Sequence, residues 1–364
     1  MEQISGKNEH IKPIGRTLWR DQEGILFFNW TCSGIDLWFR GTALLAEFFA
    51  MPGEEPEIDP LTGQARTRAT WPWLAVVLDD NEVPALRFAL EREISTQLIF
   101  HSEQEETHRI RIVKLTENGK GYAGLRGFWM DGALCPPPER PHKKRIEFIG
   151  DSITCGFGNR TEDRNRLFFS SEENGWMSHG AITARLLDME PTIISSSGIC
   201  LADFVGWPHP YCMKGLYPYT DRMLEDKLGA REYTAWDFDG HGADYVVLNL
   251  GTNDANGIQQ MGADGEQRHR ADYAAFLRTL RQLHGADAHI ICALGSMDYY
   301  LYSDIQEIVA QYQKETRDKA ITCFRYPKMD VRDPVGACGH PHITTHQKMA
   351  QAMADYIAAL ERSI

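Results

Sequence analysis

The 364-residue sequence predicts an α/β chain in two parts: an N-terminal antiparallel β-sandwich of jelly-roll style, followed by a three-layer α/β/α domain on a parallel sheet. Three observations predict it. Residues 15–134 hold short aromatic and β-branched runs, several alternating apolar and polar side chains; a stretch with four prolines interrupts the chain at 135–144; beyond it, apolar runs alternate with amphipathic helical stretches. The expected boundaries are 1–134 for the sandwich, 135–144 for a linker and 145–364 for the second domain.

In the first part, Ile35, Leu37 and Phe39 alternate with Asp36, Trp38 and Arg40, and Ile110 and Ile112 alternate with charged neighbours. That is the pattern of strands with one face buried. Asp79-Asp80-Asn81, between two such runs, predicts a hairpin turn. The segment 135–144 cannot occupy a helix interior or a central strand, because proline lacks the N–H that either ladder needs. After it come apolar runs at 145–149, 192–195, 244–250, 289–294 and 320–324. Tyr273, Phe276, Leu277, Leu280 and Leu283, and later Met349, Met353, Ile357 and Leu360, recur at spacings of three and four, which predicts helices covering the sheet. Continuous apolar strands between such helices specify a parallel sheet buried on both faces, with sites at the carboxyl ends of the strands.

A net charge of −13 argues against nucleic acid or an anionic membrane as partner, since both are recognised through basic patches. A neutral or weakly charged substrate is expected. Residues 1–20 hold no apolar signal-peptide core, and no run approaches the roughly 18 residues of a spanning helix, so the expected location is the cytoplasm. Eight cysteines form no C-x-x-C pair, and several sit in apolar runs, which suits reduced, mostly buried thiols. No cofactor or metal is expected.

The chemistry lies in four blocks. The apolar run Ile146–Ile149 leads into Gly150-Asp151-Ser152-Ile153, and a serine at the end of a strand either caps the next helix or is exposed as a nucleophile. Three further blocks follow in order: Ser195-Ser196-Ser197-Gly198, then Asn249-Leu250-Gly251-Thr252-Asn253-Asp254, then Gly339-His340-Pro341. A serine hydroxyl needs a neighbouring base, for which His340 is the candidate. Acyl transfer needs donors aimed at the developing oxyanion, and the Asn253 amide with the main-chain N–H groups of Gly198 and Ser152 would supply three.

In this order the blocks resemble those of the SGNH, or GDSL, hydrolases. Most members carry an Asp two or three residues before the catalytic His, where this chain has Cys338 and Ala337. Three readings follow: Asp333 orients His340, a main-chain carbonyl does so, or catalysis is impaired. The sandwich ahead of the Ser152 block, Gly15-Arg16, Trp30 through Gly41 and Trp236-Asp237-Phe238 narrow the resemblance to the acetyl esterases of carbohydrate esterase family 2. That resemblance implies removal of O-acetyl groups from plant polysaccharides such as xylan and mannan through an acetyl-serine, and some members use a Ser-His dyad. The expected substrate is an acetylated oligosaccharide. An aromatic residue often precedes the histidine in that family; here it is Gly339.

Trp207, Tyr211, Tyr217 and Tyr219 are the candidates for a sugar platform. A rival grouping of Cys338, His340, His342 and His346 has the residue types of a zinc site, though it would leave Ser152 and Asn253 without a role. Two other functions remain: a lipid or thioester hydrolase on the same four blocks, and a non-catalytic carbohydrate-binding protein using Trp71 and Trp73.

Overall fold

The computed structural model describes residues 2–58, 63–138 and 142–363. Glu139, Arg140 and Pro141 of the expected linker lie outside the described residues. An antiparallel domain precedes a domain built on a parallel sheet, the fold class that the alternating and continuous apolar runs predict. The last antiparallel strand ends at Cys135 and the first parallel strand starts at Arg145.

Among the described residues the first domain is a single nine-stranded antiparallel sheet curled into a half-barrel, with a separate hairpin of Gly53–Ile58 and Ala65–Thr70. The short runs of the sequence are parts of long strands. Ile35–Arg40 and Leu44–Phe49 both belong to Gly34–Met51, which pairs with Ile94–Lys114 and Tyr122–Cys135. Gly41 is not a breaker in that strand; a Cβ there would sit 2.2 Å from the Asp131 carbonyl oxygen, beside a bulge at Asp131/Gly132. Bulges bend a strand while preserving its pairing, which lets three long strands curl over one core of Leu37, Phe39, Phe48, Ile110, Ile112 and Phe128. Asp79 makes the expected turn between Trp73–Leu78 and Leu86–Ala89.

The second domain has five parallel strands in the spatial order Glu190–Ser195, Arg145–Gly150, Tyr245–Asn249, His289–Leu294 and Ile321–Arg325. Alternation within the strands divides the core. Val246, Leu248, Ile290 and Cys292 pack towards the helices Ala263–His284 and Tyr302–Thr316, whereas Val247, Ile291 and Ala293 pack towards His179–Leu186 and Ile343–Ser363. Chain order reverses between Arg145–Gly150 and its two neighbours, and at such a switch point the loops splay apart and leave a crevice at the carboxyl ends.

The two domains share their cores. Trp30 packs with the second domain's apolar residues and donates its indole N–H to the Thr220 carbonyl at 2.8 Å. Ala75, Val77, Val113 and Leu115 join the cluster around Ile146 and Phe148. Arg16 is fully buried: its guanidinium donates to the carbonyls of Tyr217 and Tyr219, lies 3.5 Å from Glu147, and stacks 4.7 Å from the Tyr217 ring centroid. Burial alone would raise the Glu147 carboxyl, but Arg16, His284 and the Tyr217 hydroxyl bring it down to about 2.

Among the described residues all eight cysteines are free; Cys32, Cys155, Cys200 and Cys292 are buried and Cys338 is exposed. No helix among them is long and apolar enough to cross a membrane.

Candidate active site

Three of the four blocks lie at or just past the carboxyl ends of strands, and Gly339-His340-Pro341 lies in the loop between the strand Ile321–Arg325 and the helix Ile343–Ser363. Ser152 opens a single helical turn, Ser152–Cys155, directly after the strand Arg145–Gly150. The residue that caps this turn is Asp151, whose Oδ1 accepts the Ile153 N–H at 3.0 Å. The serine is therefore released from the capping role that its position allows. Gly150 is required because a Cβ would fall 2.0 Å from Thr154 Oγ1. Burial, with Asp298 and Asp254 nearby, pushes the Asp151 carboxyl up to about 7, against the Ile153 N–H that lowers it.

The Ser152 hydroxyl lies 2.9 Å from His340 Nε2, and His340 Nδ1 lies 3.1 Å from the Ala337 carbonyl oxygen. A carbonyl can only accept, so Nδ1 carries the proton and Nε2 presents a lone pair to the serine. Asp333 is elsewhere: both its carboxylate oxygens take the Lys348 ammonium, at 2.8 and 2.6 Å. As an orienting acid it is thus corrected, because a lysine on the last helix holds it. Asp333→Asn is expected to leave kcat at the wild-type level. A fall near the roughly 10⁴-fold that follows loss of a true triad acid would return the role to Asp333.

The loop that carries His340 is held by main-chain bonds from the segment after the nucleophile. Ala337, Cys338 and Gly339 donate their N–H groups to the carbonyls of Gly158, Arg166 and Arg164, each at 3.1 Å, and Ile343 donates to Asn159 at 3.0 Å. Phe157 covers the imidazole, with ring centroids 4.4 Å apart, and stacks in turn on Phe168 at 4.3 Å. Burial pushes His340 below its ordinary 6.5, partly opposed by the hydrogen bonds to Ala337 and Cys338 and the charge of Glu117. A general base must be neutral, so activity survives into mild acid and is lost as pH falls through that lowered value. The acid limb of kcat/KM is expected below pH 6.5 in initial rates with p-nitrophenyl acetate; a limb above it would contradict the assignment.

The candidate oxyanion donors sit on loops that are hydrogen-bonded to one another. Neither the Ser152 nor the Gly198 main-chain N–H has an acceptor among the described residues. Gly198 has φ +80°, a left-handed conformation that glycine adopts freely, and a Cβ there would meet only His209 at 3.9 Å. Its glycine answers to backbone conformation rather than to crowding by the protein. The Asn253 amide donates to the Ile199 carbonyl at 3.1 Å and makes a longer contact of 3.4 Å with Asp151 Oδ2, tying three blocks together.

The aromatic candidates separate. Trp207 is half-buried and donates its indole N–H to the Gly198 carbonyl at 2.7 Å, beside the donor loop. Tyr217 is corrected as a sugar contact: it is fully buried, between Arg16 and the Glu147 carboxylate. Tyr211 spends its hydroxyl on Asp226 at 2.8 Å, and Tyr219 packs edge-on against Tyr233. The rival metal grouping disperses as well. His346 Nδ1 accepts the His179 N–H, His342 turns to Thr344, the Cys338 thiol faces the Arg166 carbonyl, and His340 serves Ser152. Trp71 and Trp73 are half-buried on the first domain, and the Trp73 ring is covered by Arg87 at 4.1 Å.

Residues 148–342 match the GDSL-like Lipase/Acylhydrolase family, the span that holds all four blocks. The chain belongs to that family. Ahead of this GDSL-like domain, residues 13–138 match the carbohydrate esterase 2 N-terminal domain. The chain is 33% identical over 288 residues to the cellulase/esterase CelE of Acetivibrio thermocellus, covering 77% of this chain and 33% of CelE. It thus spans about a third of that relative's length. It is 26% identical over 321 residues to an acetylxylan esterase/glucomannan deacetylase of Cellvibrio japonicus, covering 87% of this chain and 79% of the relative. Among solved structures it is similar to a family two carbohydrate esterase from Clostridium thermocellum in complex with cellohexaose: 29% identity, TM-score 0.80, 97% of this chain and 100% of that one. The GDSL-like domain and its partner therefore share one architecture with carbohydrate esterases across nearly the whole chain.

Proposed function

We propose that this GDSL-like protein is a serine esterase that removes O-acetyl groups from plant-derived oligosaccharides, acetylated mannan or xylan fragments, through an acetyl-Ser152 intermediate. The observation that carries the reading is the line Ser152 Oγ, His340 Nε2, His340 Nδ1, Ala337 O. In this reading Ser152 Oγ attacks the acetyl carbonyl carbon while His340 Nε2 takes its proton. The resulting imidazolium is held by the Ala337 carbonyl, and the oxyanion meets the N–H groups of Ser152 and Gly198 and the Asn253 amide in place of its longer contact to Asp151. Collapse breaks the bond to the sugar oxygen, which leaves with the proton from Nε2. Water, deprotonated by the same nitrogen, then releases acetate.

The carbohydrate reading draws support from the CE2 N-terminal domain and from the relatives' names. It also draws on the space beside Gly339, directly before His340, where a Cβ would meet nothing within 4 Å. Acetate release from acetylated manno- and xylo-oligosaccharides, resolved by position, tests it. On p-nitrophenyl esters the rate is expected to fall from acetate to longer acyl chains; the opposite order would favour a lipid or thioester hydrolase. We place the protein in the cytoplasm, acting on imported oligosaccharides, and its detection only in culture supernatant would refute that.

A further inference from the structure

One buried carboxylate of the first domain reaches into the site of the second. Glu117 follows the long strand Ile94–Lys114, is 1% exposed, and crosses the seam between the domains. Its Oε2 accepts the main-chain N–H of Ser197 at 2.5 Å and lies 3.5 Å from the Cys155 thiol. Ser197 directly precedes Gly198, and Cys155 closes the helical turn that Ser152 opens. A single side chain therefore touches both segments that carry the main-chain oxyanion donors.

Gly198 has no side chain and a left-handed φ, so little within the residue itself fixes where its N–H points. Its neighbours grip it on both flanks. Glu117 holds the Ser197 N–H on one side, and Trp207 holds the Gly198 carbonyl at 2.7 Å on the other. Glu117 is itself anchored. Its own N–H donates to Glu173 Oε2 at 3.1 Å, and the buried Lys114 ammonium donates to the carbonyls of Asn29, Thr116 and Glu117 at 3.1, 2.9 and 2.6 Å. We infer that Glu117 is a positioning residue of the esterase site, supplied by the N-terminal domain, which aims the Gly198 N–H at the oxyanion by holding Ser197. The inference rests on the Ser152–His340 reading. It gives the first domain a part in catalysis separate from any glycan binding.

Two variants separate reach from charge. Glu117→Gln keeps the length and an acceptor oxygen for Ser197 but removes the charge; Glu117→Asp keeps the charge and draws the acceptor back by one methylene. Displacing a reacting or stabilising group by about 1 Å can cost on the order of 100-fold in rate. E117D is therefore expected to lower kcat by roughly that factor with KM nearly unchanged, because the oxyanion forms only in the transition state, while E117Q keeps kcat near the wild type. Thermal melts on both variants exclude global unfolding, which would lower active enzyme without this ordering. A wild-type kcat in E117D, or an active E117D beside an inactive E117Q, overturns the inference. Glu117, Cys155 and Glu173 bring ligand atoms within 4.8 Å of one another, so the wild type is also dialysed against a chelator. Activity lost and restored by Zn²⁺ would assign the cluster to a cation instead, and unchanged activity supports positioning. Ser152→Ala runs alongside: if it leaves acetate release intact the esterase reading fails, whereas an inactive S152A beside a fully active E117D sinks only the role of Glu117.

Discussion

Ser152→Ala is expected to lower kcat for acetate release by about 10⁶-fold, and His340→Ala by nearly as much, with the double variant no worse than either alone. The lack of additivity is the diagnostic part. Serine and histidine act on one proton, so removing either leaves the other without a task. Oxyanion binding is a separate contribution, so Asn253→Ala on the wild-type background is expected to cost about 10²–10³-fold. Single-turnover assays on p-nitrophenyl acetate check the series. Acetate release unchanged in S152A, with sugar binding intact, would make this a non-catalytic binding protein.

Arg16→Ala is expected to destabilise the fold by about 3–5 kcal/mol, because it leaves the buried Glu147 carboxylate without its cation. The consequence depends on pH. With a folded value near 2 against an unfolded value of about 4.3, Glu147 contributes stability that is fully present above pH ~4.3 and fades as pH falls towards 2. Without Arg16 the carboxyl rises, and that contribution at neutral pH disappears. Denaturant melts of both proteins across acid pH read the difference directly. Equal stability at neutral pH would mean that the seam does not depend on this ion pair. Arg16→Lys is expected to recover only part, since an ammonium cannot reproduce the flat guanidinium that lies over Tyr217 while donating to two carbonyls.

Much of this was legible in the residues, and what was not has physical causes. The central parallel strands could be read because a strand buried on both faces must be apolar nearly throughout, and the Ser152 and Asn253 blocks directly follow two such runs. The long strands of the first domain could not be, because Gly41 reads as a break in sequence and acts as a close approach in space. The sequence leaves the orienting group of His340 open because every residue has a carbonyl, so the Ala337 oxygen gives no side-chain signal. Tyr217 misleads for a related reason: an aromatic in a proline-rich loop resembles an exposed platform, and only the distant Arg16 and Glu147 explain its burial. The contacts of Phe157 with the imidazole, of Trp207 with Gly198 and of Glu117 with Ser197 leave no local signature in the sequence, although Trp207 itself stands out as an aromatic.

The orientation of His340 by the Ala337 carbonyl also bears on how the candidate site withstands mutation. An aspartate in that role is lost through a single codon change. The Ala337 carbonyl belongs to the main chain, so no side-chain change removes the acceptor itself, and the bonds that hold its loop, to Gly158, Arg164 and Arg166, are main-chain bonds too; the constraint falls instead on size, because Ala337 is fully buried and a Cβ at Gly158 would lie 2.4 Å from its own. The imidazole therefore keeps its tautomer without any carboxylate, so long as the residues packed around that carbonyl stay small, and a missing acid in such a chain is no mark of a decayed enzyme.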